Sequence, residues 1–212
     1  MKKIKILIDD LDSWMIPYGK KLTEKLNHKG YTTELINSHD KVDSGYCLIL
    51  LSCSRKLKKL DAFNYNIVIH ASDLPRGKGW SPLTWQILEG KNTIPISVFE
   101  ANEKIDAGKI YLKANLILEG NELIDEIREK LSFEIEKLIF SFLEMDKSKS
   151  REQVGKETFY SKRTKENSEL DINKSIESQF NLLRVCDNNK YPAFFYYRDK
   201  KYFLKIYKSE ND

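Results

Sequence analysis

The 212-residue sequence lacks a long apolar run, paired cysteines and any marked excess of charge. A membrane span needs ~18 or more consecutive apolar residues, and no stretch approaches that length. The three cysteines, Cys47, Cys53 and Cys186, have no metal-site spacing, and so sparse a set is typical of a reducing cytosol. The net charge of +4, from 36 basic and 32 acidic residues, is too small to indicate a nucleic-acid partner. We expect a cytoplasmic protein with no metal, membrane or nucleic-acid partner.

What the chain does have is an alternation of short apolar runs with amphipathic stretches. The basic opening and its short apolar run, followed at once by Asp9, predict a first strand rather than a signal peptide. Strands alternating with helices indicate βαβ units and a mostly parallel sheet. We expect strands at 4–9, 32–36, 47–53, 66–70, 94–100 and 110–118, and helices at 13–29, 81–90 and 122–145.

The composition changes after the long third helix. Residues 146–156 are polar and predict an exposed connection, 172–185 a short helix and 191–208 an aromatic hairpin turning at Arg198-Asp199-Lys200. The length suits one ordinary domain with a small appendage. We therefore expect a catalytic domain over 1–150 and a C-terminal helix and β-hairpin subdomain over 151–212.

Most of the chemical information lies in residues 66–112. One predicted strand delivers His70 to the carboxyl end of the sheet, the edge at which open α/β sheets bind ligands. A loop with Pro75, Gly77 and Gly79 follows, and its backbone can approach a ligand closely. After the next strand, Asp106 precedes Gly108 in a turn. A carboxylate that meets an imidazole there would orient the ring and fix its tautomer.

These residues carry a resemblance to the formyltetrahydrofolate-dependent formyltransferases. The match consists of two motifs in the family's order and spacing, namely His70-Ala71-Ser72-Asp73-Leu74-Pro75 with Gly79, Ser81-Pro82 and Gly90, and Ile105-Asp106-Ala107-Gly108-Lys109-Ile110. The tail, with Arg163-Thr164, Asn181-Leu182-Leu183-Arg184 and Tyr191-Pro192-Ala193-Phe194, is similar to that of sugar N-formyltransferases. The resemblance is to the short branch, which includes pseudaminic-acid-pathway UDP-amino-sugar formyltransferases and peptide-synthetase formylation domains.

The resemblance implies a fold, a cofactor and a pair of catalytic residues. The fold is Rossmann-like, α/β, with a mostly parallel sheet and helices on both faces. The formyl donor is N10-formyltetrahydrofolate, whose formyl carbon is attacked by a substrate amine. By position, His70 would hydrogen-bond the developing oxyanion, while Asp106 would keep the imidazole charged and oriented and help the amine lose its proton.

The sequence departs from the family at one catalytic position. The family usually has an asparagine two residues before the histidine, and here that residue is Val68. Asn66 faces the same side of the strand but lies ~6–7 Å further back, so it is a catalytic candidate only with a bulge or an altered substrate pose. A backbone amide, or protonated His70 alone, is the alternative oxyanion donor.

The resemblance also implies two groups of binding residues. The stretches expected to border the folate are Ser52, Cys53 and Ser54; Leu74, Pro75, Arg76, Gly77, Lys78 and Gly79; and Ala101, Asn102, Lys104 and Ile105. The residues expected to contact the amine substrate are Asp10, Ser13, Trp14 and Trp80. The aromatic hairpin is expected to be a packed β unit, with a platform for a nucleotide base as the alternative.

Two features of the sequence narrow the choice of amine substrate. Glycinamide ribonucleotide enzymes hold phosphate with a glycine-rich loop after strand one, where this chain has Asp9-Asp10-Leu11-Asp12-Ser13, three carboxylates that would repel phosphate. The short tail leaves no room for a basic tRNA-binding barrel. We therefore expect a nucleotide-linked 4-amino-4,6-dideoxy sugar, namely UDP-4-amino-4,6-dideoxy-N-acetyl-altrosamine or a close isomer.

Two other functions stay open at this point. A formylation domain acting on a carrier-bound aminoacyl group would leave no mark in this sequence, and loss of the usual asparagine is compatible with a catalytically weak, folate-binding descendant. The apolar area of the long helix and the hairpin is compatible with a homodimer.

Overall fold

The chain is described by a computed structural model over residues 1–57 and 59–209. Lys58 and residues 210–212 lie outside the described residues, so the last three positions of the predicted C-terminal subdomain are not part of the description.

Ten strands and four α-helices follow one another in the described chain. The strands are β1 (Lys3–Leu7), β2 (Thr32–Ile36), β3 (Gly45–Leu50), β4 (Phe63–His70), β5 (Lys78–Gly79), β6 (Thr93–Glu100), β7 (Ile110–Ile117), β8 (Phe159–Tyr160), β9 (Ala193–Tyr197) and β10 (Lys200–Leu204). The helices are α1 (Ile16–His28), α2 (Pro82–Leu88), α3 (Ile124–Glu144) and α4 (Phe180–Arg184). The six predicted strands and the three predicted helices of the first 150 residues are all present, with ends that differ by a few residues.

A six-stranded sheet of order β2-β1-β3-β4-β6-β7 forms the centre of the fold. Neighbouring strands among β2, β1, β3 and β4 are parallel. The carboxyl ends of β1, β3 and β4 therefore open at the same edge, where a ligand cleft is expected. The predicted mostly parallel α/β sheet is confirmed.

β6 runs antiparallel to both of its neighbours, which the expected βαβ pattern did not include. The reason is the length of the preceding helix: the seven residues of α2 rise ~10 Å, whereas the eight residues of β4 span ~26 Å. The chain therefore does not return to the amino end of β4 before β6 begins. Ser97 lies level with His70, and Glu100 lies level with Ile67.

The helices α1, α2 and α3 pack on one face of the sheet, whereas the sequence predicted helices on both faces. The apolar faces of α1 and α3 and the Ile87 side chain of α2 share one buried cluster with alternate residues of β1, β3 and β6. The other face is covered mainly by connecting segments, because the links from β2 to β3 and from β3 to β4 contain no α-helix in their described residues. A smaller cluster lies there, formed by Leu7, Ile36, Val42, Leu48, Leu50 and Phe63.

The C-terminal region contains less helix than the sequence predicts. The expected helix over 172–185 is reduced to a 3-10 turn, Glu177–Gln179, and the single turn of α4. The aromatic hairpin is present as β9 and β10, and its turn residues Arg198 and Asp199 both have left-handed φ values. Leu170, Leu183, Cys186 and Ala193 form a separate small cluster beneath it.

No helix in the part of the chain that the structure describes is both long and apolar enough to cross a bilayer.

Candidate active site

A cleft of about 790 Å³ opens at the carboxyl edge of the parallel strands. Its walls come from the segments that follow β1, β3 and β4, the loop after β6, and the beginning of α2. Of the residues predicted for the site, those that line it are Asp10, Trp14, Ser52, Cys53, Ser54, His70, Gly79, Trp80, Ala101, Asn102, Lys104, Ile105 and Asp106. Ligand clefts in proteins commonly enclose ~300–1,000 Å³, so the volume suits a cofactor and part of a substrate.

His70 ends β4 at the base of this cleft and is 9% exposed. Its Nε2 atom lies 2.8 Å from the Gly77 carbonyl oxygen. Because a carbonyl only accepts, Nε2 is the donor and carries a proton. Phe99 packs edge-on against the ring. The imidazole therefore has a fixed position and a fixed proton on Nε2.

Asp106 lies beside His70 in a turn with a left-handed φ of 48°. Its Oδ2 atom accepts a hydrogen bond from the Gly79 backbone N–H at 2.8 Å and lies 3.8 Å from His70 Nε2. A separation of 3.8 Å is too long for a direct hydrogen bond, so the carboxylate acts on the ring by charge or through an intervening group. The two side chains are instead joined through the backbone of residues 77–79.

Gly108 allows the Asp106 turn to fold back towards β4. A Cβ atom at this position would lie 1.8 Å from the Glu100 carbonyl oxygen, which no real side chain tolerates. Because β6 is antiparallel, Glu100 lies level with Ile67 rather than with His70. The His70–Asp106 contact therefore depends on the loop that joins β6 to β7.

The structure does not bring Asn66 into the cleft. Its Nδ2 atom donates to the Leu60 carbonyl oxygen at 2.6 Å, and its buried Oδ1 atom has no hydrogen-bond partner in the described chain. Val68, which replaces the family's asparagine, lines the cleft in its place. No bulge shifts β4 in its paired stretch with β3, so Asn66 keeps the offset that the strand spacing predicts.

The predicted folate loop is only partly in the cleft. Gly79 lines it, whereas Leu74, Pro75, Arg76, Gly77 and Lys78 do not. Leu74 packs with Phe99 and Ile110 in a small cluster, and Lys78, 1% exposed, forms an ion pair with Glu157. The physical reason is that β5 pairs with β8, which turns most of this loop towards the later segment of the chain.

The acidic loop after β1 contributes one carboxylate to structure and another to the cleft. Asp9 has a fully buried side chain that accepts hydrogen bonds from the backbone N–H groups of Ser54 and Arg55. Burial favours the neutral carboxyl, but the Ser54 N–H, His39 and the Arg55 N–H outweigh it and lower the pKa of Asp9. Asp9 therefore fixes the loop after β3, and Asp10 is the predicted substrate carboxylate that faces the cleft.

Ser13 does not line the cleft but lies just behind it. Its Oγ atom donates to Ser52 Oγ at 3.2 Å and accepts from the Met15 N–H. Ser52 has a left-handed φ of 55°, so this contact helps to hold an unusual backbone conformation. In the structure Ser13 contacts the loop after β3, and its contact with the substrate stays a prediction.

Cys53 forms part of the wall and is not poised as a nucleophile. Burial, together with the charge of Asp9, raises the pKa of the thiol to about 12. The sulfur donates to the Leu7 carbonyl oxygen. Since the thiolate is the reactive form, the thiol is inert at neutral pH.

The part of the cleft beside Cys53 forms an apolar slot that could hold a planar ring system. Leu50, Val68, Phe99 and Ile105 supply apolar walls between the loops after β3 and β6. His70 and Asp106 lie at its end. A planar heterocycle suits such an apolar slot with a few convergent polar groups.

Sequence reasoning missed two cleft residues that come from the C-terminal region. Lys162 and Tyr191 both line the cleft, and Lys162 Nζ lies 5.0 Å from the centre of the Trp80 ring. The sequence places Tyr191 in the hairpin, and Lys162 stands in a basic pair typical of a solvated surface. The signal that could have found them is the resemblance of the neighbouring Arg163-Thr164 motif to sugar N-formyltransferases.

Among residues 1–57 and 59–209, no cluster of three or more His, Cys, Asp or Glu side chains could hold a metal ion.

Comparison with known proteins gives the family. Residues 45–143 match the formyl transferase family model. The chain is 30% identical over 169 residues to the bifunctional polymyxin resistance protein ArnA of Wigglesworthia glossinidia brevipalpis, covering 78% of this chain and 25% of that protein. It is 31% identical over 157 residues to methionyl-tRNA formyltransferase of Clostridium beijerinckii, covering 71% and 49%.

Solved structures show the same fold. Methionyl-tRNA formyltransferase from Clostridium thermocellum superposes with a TM-score of 0.81 at 24% identity, covering 100% of this chain and 95% of that one. A 4-N formyltransferase from Francisella tularensis gives 0.70 at 16% identity, covering 99% and 98%. HypX from Aquifex aeolicus, solved with tetrahydrofolic acid, gives 0.73 at 15% identity, covering 97% and 37%.

Residues 45–143 of the chain belong to the formyl transferase family, an enzyme family. The predicted fold is confirmed, as are, at the level of the family, the N-formyltransferase class and the donor N10-formyltetrahydrofolate. The chain spans a quarter of the ArnA protein and about half of the methionyl-tRNA formyltransferase from C. beijerinckii.

Proposed function

We propose that this protein transfers a formyl group from N10-formyltetrahydrofolate to the amine of a nucleotide-linked amino sugar. The observation that carries the proposal is the His70–Asp106 pair, with Nε2 and Oδ2 3.8 Å apart at the base of the cleft. A donor and a carboxylate side by side supply what formyl transfer to an amine needs: stabilisation of charge on an oxygen and acceptance of a proton.

The folate ring would occupy the slot between the loops after β3 and β6. N10-formyltetrahydrofolate, when bound there, supplies an electrophilic formyl carbon. Lys56 donates to the Glu103 carbonyl oxygen across this region, and Arg55, Lys56 and Lys104 all line the cleft. Their positive charge suits the carboxylates of the folate tail.

Each catalytic side chain would have one task. His70 Nε2 carries the proton that is donated towards the formyl oxygen, so a small movement away from the Gly77 carbonyl would redirect an existing donor. Asp106, fixed by the Gly79 N–H, would accept the proton released by the attacking amine and return it to N10 as the bond between N10 and the formyl carbon breaks and tetrahydrofolate leaves, directly or through water. Val68 lies beside this pair and Asn66 lies outside the cleft. We therefore propose that His70 is the only side chain that donates a hydrogen bond to the oxyanion.

The amine substrate would enter from the side lined by Trp14, Trp80, Lys162 and Tyr191. The exposed Trp80 ring with Lys162 above it offers stacking and positive charge, which suit the base and the phosphates of a nucleotide. Asp10 is available for sugar hydroxyls or for the cationic amine. This arrangement supports a UDP-linked 4-amino-4,6-dideoxy sugar such as UDP-4-amino-4,6-dideoxy-N-acetyl-altrosamine.

Initiator methionyl-tRNA is a second candidate substrate, because methionyl-tRNA formyltransferases are among the relatives that reach 31% identity. A carrier-bound aminoacyl group and a folate-binding role without turnover are further alternatives. All of these candidate functions use the same folate slot, so they are distinguished by which amine, if any, accepts the formyl group.

The test is an acceptor panel. Purified protein is incubated with N10-formyltetrahydrofolate and, in separate arms, candidate UDP-amino sugars, methionyl-tRNA and aminoacyl carrier protein, and formamide products are identified by mass spectrometry. We expect a formamido sugar, abolished by His70→Ala and unaffected by His28→Ala, a matched change at an exposed end of α1. A product formed only with methionyl-tRNA or only with aminoacyl carrier protein would identify that molecule as the acceptor in place of the sugar. No product in any arm would contradict formyl transfer.

We further propose that the chain divides near residue 150 into a catalytic domain and the C-terminal region, and that it acts in the cytoplasm.

We also propose a homodimer through the hairpin, because the side chains of four hairpin residues are 46–62% exposed, namely Tyr196, Tyr197, Tyr202 and Phe203. Sedimentation at several protein concentrations would test it, and a monomer throughout would contradict it.

A further inference from the structure

The first residues of the C-terminal region lie against the turn and the loop that hold the catalytic pair. Residues 151–162 pass from the start of β7 to β8, and all of them lie outside the residues matched by the family model. The sequence predicts the first half of this stretch, 151–156, to be part of an exposed connection. In the structure, two of its side chains contact backbone atoms that in turn fix His70 and Asp106.

Gln153 braces the Asp106 turn from behind. Its Nε2 atom donates to the Asp106 carbonyl oxygen and to the Gly108 carbonyl oxygen, both at 2.9 Å. Its own Oε1 atom is buried without a hydrogen-bond partner in the described chain. Reversing the amide would face that oxygen with two carbonyl oxygens, so the side chain is held as a double donor although its acceptor is unsatisfied. A buried acceptor without a partner costs free energy, and packing of the side chain alone would not require that cost.

Thr158 braces the loop that meets His70. Its Oγ1 atom accepts a hydrogen bond from the Gly77 N–H at 2.8 Å, and its carbonyl oxygen accepts one from the Lys78 N–H. The Gly77 carbonyl oxygen, in the same loop, is the acceptor for His70 Nε2. Pairing of β5 with β8 continues this contact to Gly79, whose N–H donates to Asp106.

We propose that Gln153 is a positioning residue for Asp106 and that Thr158 is a positioning residue for His70. The segment that follows the family domain thereby completes the geometry of the catalytic pair without touching a reacting atom. The inference rests on the proposed function, since it assigns these residues to the same site.

Gln153→Met tests the proposal because methionine keeps the length of the side chain and removes both donors. We expect kcat for formyl transfer to fall about ten- to a hundredfold, since small misplacements of catalytic groups have costs of this order. The KM for N10-formyltetrahydrofolate should stay within about threefold, because the folate slot does not include Gln153. The matched control is Gln179→Met, which removes a glutamine that hydrogen-bonds both backbone groups of Asp171 and does not line the cleft.

A second readout does not depend on turnover. The protein has three histidines, His28, His39 and His70, so their ring resonances can be assigned by single substitutions. In Gln153→Met and in Thr158→Val we expect the His70 ring resonances to shift at constant pH while those of His28 and His39 stay in place. Gln179→Met should move none of the three.

The outcomes separate this inference from the proposed function. An inactive wild-type protein would contradict formyl transfer, and the His70 resonances would still decide whether Gln153 positions the pair. Unchanged kcat and an unchanged His70 signal in Gln153→Met would overturn the inference alone. Shifts of all three histidines with a lowered Tm would also overturn it, because the effect would then be general. Where Gln153→Met does not fold, Thr158→Val decides by the same criteria.

Discussion

His70 and Asp106 are held by the backbone of one loop rather than by each other. Gly77 accepts from the imidazole and Gly79 donates to the carboxylate, and the two side chains remain 3.8 Å apart. Each group thus has one hydrogen bond to a rigid partner and one side turned to the cleft. The motif residues around His70 are therefore needed for their backbone as much as for their side chains.

Asp9 provides a test at the scale of one residue. Asp9→Asn replaces a buried carboxylate that accepts from the Ser54 and Arg55 N–H groups with an amide that has one acceptor oxygen, so the loop after β3 loses one of these two hydrogen bonds. We expect the free energy of unfolding to fall by about 1–3 kcal/mol and the Kd for tetrahydrofolate to rise by about tenfold, since hydrogen bonds to a charged group have this magnitude. Thermal unfolding and fluorescence titration measure the two effects.

The matched control for Asp9 is Asp12→Asn, a change to an exposed carboxylate in the same loop that does not line the cleft. It should alter neither quantity. An Asp9→Asn protein with wild-type folate affinity would show that the loop after β3 does not form the folate slot.

At the scale of the element, a single added methyl group would disrupt the loop between β6 and β7. Gly108→Ala places a Cβ 1.8 Å from the Glu100 carbonyl oxygen, so the loop must move away from β6 and carry Asp106 with it. We expect a loss of about 2 kcal/mol or more in unfolding free energy, as for overpacked sites, and kcat reduced at least about a hundredfold.

Gly90→Ala is the comparison for Gly108→Ala. Gly90 has a positive φ, so alanine is strained there, yet nothing lies within 4 Å of the added Cβ. We expect a modest loss of stability, about 1 kcal/mol, with kcat unchanged. Equal effects of the two substitutions on kcat would contradict the role given to the Gly108 contact.

The elements were largely predictable from the sequence because their signals are local. Apolar runs indicated β1 to β4, and the period of 3.6 indicated α3, whose buried residues include Ile127, Leu131 and Leu138. The direction of β6 was not predictable from its own residues, since it depends on the length of α2. The helix expected over 172–185 fails because the side chains of Ser178 and Gln179 donate to the Lys174 and Ser175 carbonyl oxygens, which a helix would need as backbone acceptors.

The candidate site was predictable where a motif names its residues and less so elsewhere. His70 and Asp106 came from the motif and meet in the structure, whereas Asn66 was assigned from strand spacing alone and bonds Leu60 instead. Gln153 and Thr158 could not be found in this way, because their contacts join positions that are 47 and 81 residues apart in the sequence. No short pattern marks such a contact.

For the whole molecule, a buried ion pair joins the C-terminal region to the sheet domain. Arg184, fully buried in α4, lies 3.4 Å from Glu122 before α3 and donates to Asn92. Burial favours the neutral form of Glu122, but Lys130 and neighbouring backbone N–H groups outweigh it and lower its pKa to about 2. Because this pKa is below the ordinary value of 4.5, the stabilisation is complete above about pH 4.5 and is lost as the pH falls towards 2.

Glu122→Gln tests this link. We expect it to lower the unfolding free energy at pH 7 by about 3–5 kcal/mol, the usual cost of leaving one buried charge unpaired, and to flatten the acid limb of the stability profile. Denaturant titrations between about pH 2 and pH 7 measure both. Glu119→Gln, at an exposed neighbour, should leave the profile unchanged, and an unaltered acid limb in Glu122→Gln would refute the assignment.

The central claim is that His70 and Asp106 act as one unit on a folate-borne formyl group, and a double-mutant cycle on formyl transfer tests it most directly. Turnover is measured for wild type, His70→Ala, Asp106→Asn and the double variant with the acceptor found in the panel. A pair that works as a unit predicts that each single change lowers kcat by about 10²–10⁴ and that the double variant is little slower than the worse single one. Losses that multiply in the double variant, or a wild-type rate in either single variant, would contradict it.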